Sequence, residues 1–199
     1  MQIKNVIFDI GNVLVRWEPY EIIQKILPGS DSVMLYQQMR PVWLDLNLGK
    51  LSEKEAIEIY WRQLEVPKQK IIELMNEVKV SQTMIPGSIE LLNKLHEKGV
   101  NLYSITDNIK EIMEYHYANS NFLSYFKGIV VSAEVGFLKP DPKIYRHLFT
   151  KYGLDPAESV FIDDLIPNVE GALSVGMQAF QFTDAILCEK KLKEIGIIN

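Results

Sequence analysis

Five short apolar runs, each separated from the next by helical sequence, limit this chain more than any other feature. The first is Val6-Ile7-Phe8, closed by Asp9. The others are Asn101–Thr106, Gly128–Ser132, Ser159–Asp163 and Met177–Phe182. All are mostly apolar, with β-branched and aromatic residues, as strands buried on both faces are. Pro86-Gly87-Ser88 opens one intervening helix and Gly99 ends it; Asp141-Pro142 opens another, stopped by Gly153; Pro167 and Gly176 bracket a third. Strand–helix alternation of this kind predicts an α/β fold with a doubly wound, Rossmann-like parallel sheet.

Residues from Arg16 to Ser81 interrupt that rhythm. They hold no convincing strand but several amphipathic helical stretches: Tyr20–Leu27, Asp31–Met39, Glu53–Leu64 and Lys68–Val78. Ser52 and Glu55 have capping-box spacing. The expected organisation is an α/β core of residues 1–15 and 82–199, with residues 16–81 inserted as an α-helical cap over the sheet's C-terminal edge. Met39–Lys50 reads as a loop joining two cap helices.

The chain has 199 residues, 47% of them hydrophobic, enough for one core plus a modest insertion. Its net charge of −5 and the lack of a basic run argue against nucleic acid or an anionic membrane as partner. The single Cys188 leaves no disulfide framework and fits a reducing compartment. No signal peptide or membrane-length apolar stretch is read, so a cytoplasmic protein is expected, monomeric or a small homo-oligomer.

Open α/β sheets bind ligands beyond the carboxyl ends of their strands. Asp9, Thr106-Asp107-Asn108, Lys139 and Asp163-Asp164 with Asn168 all fall at such ends or in the loops after them. Gly11 and Asn12 turn the chain sharply after the first strand. Together these residues suit phosphoryl transfer. A carboxylate takes a phosphoryl group as an aspartyl-phosphate. Mg2+ needs only one or two carboxylates beside phosphate oxygens and water, which Asp9, Asp164 and the Gly11 carbonyl supply. Lys139 offsets negative charge, and Thr106 with neighbouring groups of Asp107, Asn108 and Asn12 holds phosphate oxygens.

The order and spacing of these segments resemble the haloacid dehalogenase (HAD) superfamily, in its subgroup with a helical cap after the first strand. The F-D-x-G-N-V-L start, the G-x-x-K-P-D-P-x-I-Y segment and the F-I-D-D-x-x-P-N segment are most similar to glucose-1-phosphatase-like members. The resemblance implies Asp9 as nucleophile, Thr106 as phosphate ligand, Lys139 as charge-balancing lysine and Asp164 as direct Mg2+ ligand. Asp163 either ligates through water or orients Lys139, and Asn168 supports the pair.

One position departs from the superfamily's pattern. Its phosphatases carry a second Asp two residues after the nucleophile, as the general acid and base; here that residue is Gly11. General acid–base catalysis is worth roughly 10²–10⁴-fold. Three readings follow. The first is a Mg2+-dependent phosphatase for a small phosphorylated metabolite whose leaving group departs easily: an acyl phosphate, an aryl phosphate or an anomeric sugar 1-phosphate. The second is a weakly active or inactive protein that binds a phosphorylated ligand or a protein partner. The third, 2-haloacid dehalogenation, is disfavoured by the carboxylate pair. Substrate choice is expected in the cap, with Trp43 packing on a sugar face, Asp45 or Asn47 accepting hydroxyls, and Arg16 and Trp17 at the hinge. His96, His116 and His147 are expected at solvated helix positions.

Overall fold

A computed structural model describes residues 3–198. β1 (Asn5–Phe8) enters the sheet, and four helices follow it: α1 (Pro19–Ile26), α2 (Ser32–Asn47), α3 (Glu53–Gln63) and α4 (Lys68–Val80). The chain then alternates through α5 (Ser88–Glu97), β2 (Asn101–Thr106), α6 (Lys110–Asn119), β3 (Gly128–Val131), the one-turn α7 (Ser132–Val135) and α8 (Pro142–Tyr152). It ends with β4 (Ser159–Asp163), α9 (Ile166–Ser174), β5 (Gln178–Gln181) and α10 (Ala185–Glu194).

The strands form one parallel sheet in the order β3-β2-β1-β4-β5. Strand pleating separates two cores by the period of two. Val6 and Phe8 pack on one face with Leu102, Val160, Ile162 and residues of α5 and α10. Ile7 packs on the other with Tyr103, Phe161 and residues of α8 and α9. β1 is central, and the chain reverses its winding between β1 and β4. That is the switch point at which such sheets leave a crevice.

The helices α1–α4 share a third apolar cluster, centred on Ile23, Met39, Leu46, Tyr60, Leu74 and Met75. Ile109 and Ile112, at the start of α6, belong to it as well, so the helical insert is seated on the sheet's carboxyl edge. The two chain segments that join insert and sheet run side by side: Arg16 N–H donates to Thr83 O (2.9 Å), and Ile85 N–H to Leu14 O (2.8 Å). Beyond α2, Gly49 has φ of 67° and lies against α7; a Cβ there would stand 2.0 Å from the Ala133 carbonyl oxygen. Only glycine permits that approach.

Two expectations need correction. Met39–Lys50 is not a loop, because α2 continues to Asn47 straight through Pro41. Proline lacks an N–H and disfavours helix just before it, so the sequence reads as a break. Here Leu35, Met39, Val42 and Leu46 form a continuous buried stripe across that point, and packing outweighs the lost hydrogen bond. Second, His116 is buried rather than solvated. Its ring meets Phe122 edge-on, and its Nε2 lies 2.8 Å from Gln82 Oε1. No helix among the described residues is long and apolar enough to cross a membrane.

Candidate active site

Asp9 follows β1 directly and is 7% exposed. Its Oδ1 accepts the Ile10 N–H at 2.7 Å and faces Lys139 Nζ at 2.8 Å, so both contacts fall on one oxygen. Lys139 lies in the loop between α7 and α8, with its side chain 1% exposed. Its ammonium also donates to Asp163 Oδ2 at 2.6 Å. The Oδ1 of Asp163 is engaged as well, accepting from Leu165 N–H and the Asn168 amide, each at 2.9 Å. Asp163 is fully buried with donors on both oxygens, and of the two roles expected for it, orientation of Lys139 matches this geometry.

Asp107 binds the same lysine from below. Its Oδ1 accepts the Lys139 backbone N–H at 3.1 Å. The carboxylate therefore anchors the lysine's loop and as an anion would repel phosphate, so the expectation that Asp107 holds phosphate narrows to its backbone N–H; the residue borders the cleft. The backbone N–H of Asn108 is also spoken for, donating to Ser132 Oγ at 3.0 Å, so that expectation narrows to the Asn108 side chain, which lines the cleft. The Thr106 residue is buried and borders the same cleft.

The turn after Asp9 is strained at Asn12 rather than at Gly11. Asn12 has φ of 52°, in the left-handed region that Asn tolerates better than most residues. Its Oδ1 accepts the Trp17 N–H at 2.9 Å, its backbone N–H donates to Val15 O at 2.7 Å, and its side chain stands beside Asp164. The Asn12 oxygen and backbone N–H are thus committed to the turn, so the expectation that Asn12 binds phosphate narrows to its amide NH2. Gly11 itself is not left-handed, and a Cβ added there would meet only Trp17 Cβ, at 3.9 Å.

The electrostatics are unbalanced. Carboxylate oxygens of Asp9, Asp163 and Asp164 all lie within 4.8 Å of one another. With Asp107 they make four carboxylates around a single ammonium. Burial raises Asp9 and Asp163 adds to it; Lys139 opposes both, and the carboxyl is pushed up to about 8. Burial likewise raises Asp164, with Asp163 adding to it, and raises Asp107 against the pull of Lys139. On Lys139, burial works downward, but Asp9, Asp163 and Asp107 outweigh it and keep the ammonium charged well above the ordinary lysine range. A divalent cation would remove this excess of negative charge, and oxygen-only donors of this kind suit Mg2+.

Above these residues opens a cleft of about 470 Å³ between sheet edge and insert. Trp43 and Asn47 border it, as do Trp17, Tyr36, Arg40 and Gln82. Asp45 does not; it pairs with Lys50 at 3.0 Å and is half-exposed. Arg16 is also outside the cleft, 3.8 Å from Glu18 and 3.7 Å from Glu21. Tyr36 and Arg40 were not legible as site residues, because the apparent break at Pro41 hid the helical spacing that groups them with Trp43 and Asn47. Of the remaining reactive groups, Cys188 is buried beside α5, where burial pushes its thiol up to about 12.

The model of the haloacid dehalogenase-like hydrolases matches residues 3–176. Over 196 residues the chain is 26% identical to a sesquiterpene phosphatase of Aspergillus oryzae, covering 96% of each protein. It is 24% identical to a D-ribitol-5-phosphate phosphatase of Bacteroides thetaiotaomicron, covering 90% of this chain and 91% of that one. Among solved structures, a HAD family enzyme of Bacteroides thetaiotaomicron in complex with magnesium and inorganic phosphate superimposes with a TM-score of 0.75 at 24% identity, over 92% of this chain and 95% of that one. The L-2-haloacid dehalogenase of Xanthobacter autotrophicus shares the fold at a TM-score of 0.69 and 18% identity, over 96% and 83%. With its sheet order, its helical insert and nearly nine-tenths of its length matched, this chain belongs to the haloacid dehalogenase-like hydrolases.

Proposed function

We propose that the protein is a Mg2+-dependent phosphatase that hydrolyses small phosphomonoesters through an aspartyl-phosphate on Asp9. The observation that carries this reading is Lys139, whose ammonium spans Asp9 at 2.8 Å and Asp163 at 2.6 Å while Asp164 stands in the same cluster. A nucleophile, a buried cation and a second set of oxygen donors are what an in-line attack on phosphorus needs.

Asp9 Oδ2, the oxygen not held by Ile10 or Lys139, attacks phosphorus, and the bond to the leaving oxygen breaks with its electron pair. Lys139 favours the ionised form of Asp9 against burial and Asp163, and offsets charge on the phosphoryl oxygens. Thr106 and the Asn108 amide supply donors to those oxygens. Water then attacks the aspartyl-phosphate, releasing inorganic phosphate and restoring Asp9. Asp9, Asp164 and the Gly11 carbonyl would hold Mg2+, which supplies charge neutralisation of the phosphoryl group. Residues 16–81 act as a cap that limits water in the cleft, over a core of residues 1–15 and 82–199.

Gly11 places no side chain near the leaving oxygen, so substrates whose leaving groups need little protonation are favoured: acyl, aryl or anomeric sugar phosphates. Named relatives act on substrates as different as a sesquiterpene phosphate, flavin mononucleotide and ribitol 5-phosphate, so the cap rather than the sheet edge selects among them. The acidic cluster supports a cation-dependent phosphatase over a dehalogenase. The test is phosphate release from an ester panel with Mg2+. Activity should vanish with EDTA, return with Mg2+ and be absent in Asp9→Asn. Full activity in Asp9→Asn would falsify the reading.

A further inference from the structure

The cleft wall opposite Asp9 is built from one stripe of one helix. Tyr36, Arg40, Trp43 and Asn47 follow each other along α2 at spacings of four, three and four, which places them on a single face, and all four border the cleft. The neighbouring stripe, Leu35, Met39, Val42 and Leu46, is buried in the insert's own core and fixes the helix's rotation. The cleft-facing stripe is therefore held in place by packing.

Tyr36 and Trp43 are partly buried against the insert's core, and with Arg40 and Asn47 they also border the cleft. Trp43 is backed by Trp17, with ring centroids 5.4 Å apart and planes at 17°, so its ring is held rigidly at the wall. Tyr36 meets Tyr20 edge-on at 5.1 Å and continues the aromatic surface. Asn47 is 7% exposed, and its side-chain oxygen is buried with no hydrogen-bond partner among the described residues. Such an orphaned acceptor costs free energy unless a ligand donor reaches it or the amide. Arg40 has no carboxylate within salt-bridge distance among the described residues. Glu18, which also borders the cleft, is paired with Arg16.

We infer that this stripe is the leaving-group subsite, and that it selects aryl phosphates: a flat ring against Trp43 and Tyr36, with a second anionic group directed to Arg40. The inference rests on the phosphatase reading above and narrows its substrate class. A polyhydroxylated sugar fits less well. Aromatic walls leave most of its hydroxyls without partners: the Gln82 oxygen is already taken by His116, and Asn47 offers a single unpaired acceptor. An aryl oxygen also departs without the general acid that Gly11 lacks. Arg40 and Asn47 are separated by about 10 Å along the helix axis, so the subsite spans one or two fused rings.

Two matched substrate pairs isolate the charge: 3-carboxyphenyl against 3-carbamoylphenyl phosphate, and 6-carboxy-2-naphthyl against 6-carbamoyl-2-naphthyl phosphate. Within each pair the bodies are alike and only one carries the second anion. Wild-type kcat/KM should favour the carboxylate by roughly 10- to 100-fold in at least one pair, the range of a charge-assisted hydrogen bond. The preference should sit mainly in KM. Arg40→Ala should bring the ratio to about one, and Arg40→Lys should restore part of it. Trp43→Leu should lower kcat/KM for all four aryl esters relative to acetyl phosphate, which has no ring and reports on Asp9 alone. Turnover of acetyl phosphate with no carboxylate preference, or a preference that survives Arg40→Ala, overturns the inference and leaves the phosphatase reading standing. No turnover of any substrate, acetyl phosphate included, overturns both.

Discussion

Lys139 Nζ lies 2.8 Å from Asp9 Oδ1, yet burial and a second carboxylate still hold the Asp9 carboxyl up to about 8. The lysine is shared: Asp163 claims it at 2.6 Å, so its one charge does not neutralise Asp9 as well. The two partners should therefore respond oppositely to substitution. The unfolded chain binds its Asp9 proton near pH 4, and the folded chain near pH 8. Ionised Asp9 thus weakens the fold progressively as pH rises through that window. In EDTA at pH 8, Asp9→Asn should raise the melting temperature while abolishing turnover. Lys139→Ala leaves the buried carboxylates of Asp9 and Asp163 without their cation and should cost about 3–5 kcal/mol, read from urea melts. Added Mg2+ should stabilise wild type more than Asp9→Asn.

Gly11 should accept an aspartate. The added Cβ meets ordinary contact at 3.9 Å, and the backbone there is not left-handed. Gly11→Asp should fold with little change in melting temperature. It should speed hydrolysis of alkyl phosphates by up to roughly 10²–10⁴-fold while changing aryl phosphates far less. The measurement is log kcat/KM against leaving-group pKa: wild type should fall steeply and the variant should be flatter. An unchanged slope would mean that proton delivery does not limit poor leaving groups.

Asn12 separates conformation from hydrogen bonding. Asn12→Gly and Asn12→Ala both lose the bond to Trp17 N–H and the side chain beside Asp164, but only alanine resists φ of 52°. Alanine should therefore be the less stable variant, by about 1–2 kcal/mol. Both should need more Mg2+ for half-maximal activity, because Asp164 loses its side-chain partner. Equal stability of the two would place the strain elsewhere.

His116 gives the fold a pH dependence of the opposite sign to Asp9. Burial lowers its pKa below the ordinary 6.5. Between that lowered value and 6.5 the unfolded chain binds more protons than the folded one, so stability falls as pH drops below about 6.5. His116→Gln removes the titrating ring beside Gln82. In an Asp9→Asn background, which removes the opposing dependence, the melting temperature should fall less with His116→Gln than with His116 present between pH 7.5 and 5.5.

Much of this molecule is legible in its residues, and the limits have identifiable causes. Alternating apolar runs and helix signals specify a parallel α/β sheet, because burial on two faces requires continuous apolar strands and crossovers require helices. Strand-end polar residues likewise point to Asp9, Thr106, Lys139, Asp163 and Asp164. The sequence does not show that the Asp107 carboxylate anchors the Lys139 loop, since polar residues at one strand end read alike until their direction is known. It does not show that Asn12 rather than Gly11 carries the left-handed turn, because both residues permit one. Nor does it show that α2 passes through Pro41: local propensity argues for a break, and only packing of Leu35, Met39, Val42 and Leu46 overrides it. Residue types and their order determine the chemistry available at the sheet edge. Which side chains meet, and which charge is left unpaired, depends on contacts between segments distant in sequence, from 24 residues for Lys139 and Asp163 to 130 for Lys139 and Asp9, and those exist only in the tertiary structure.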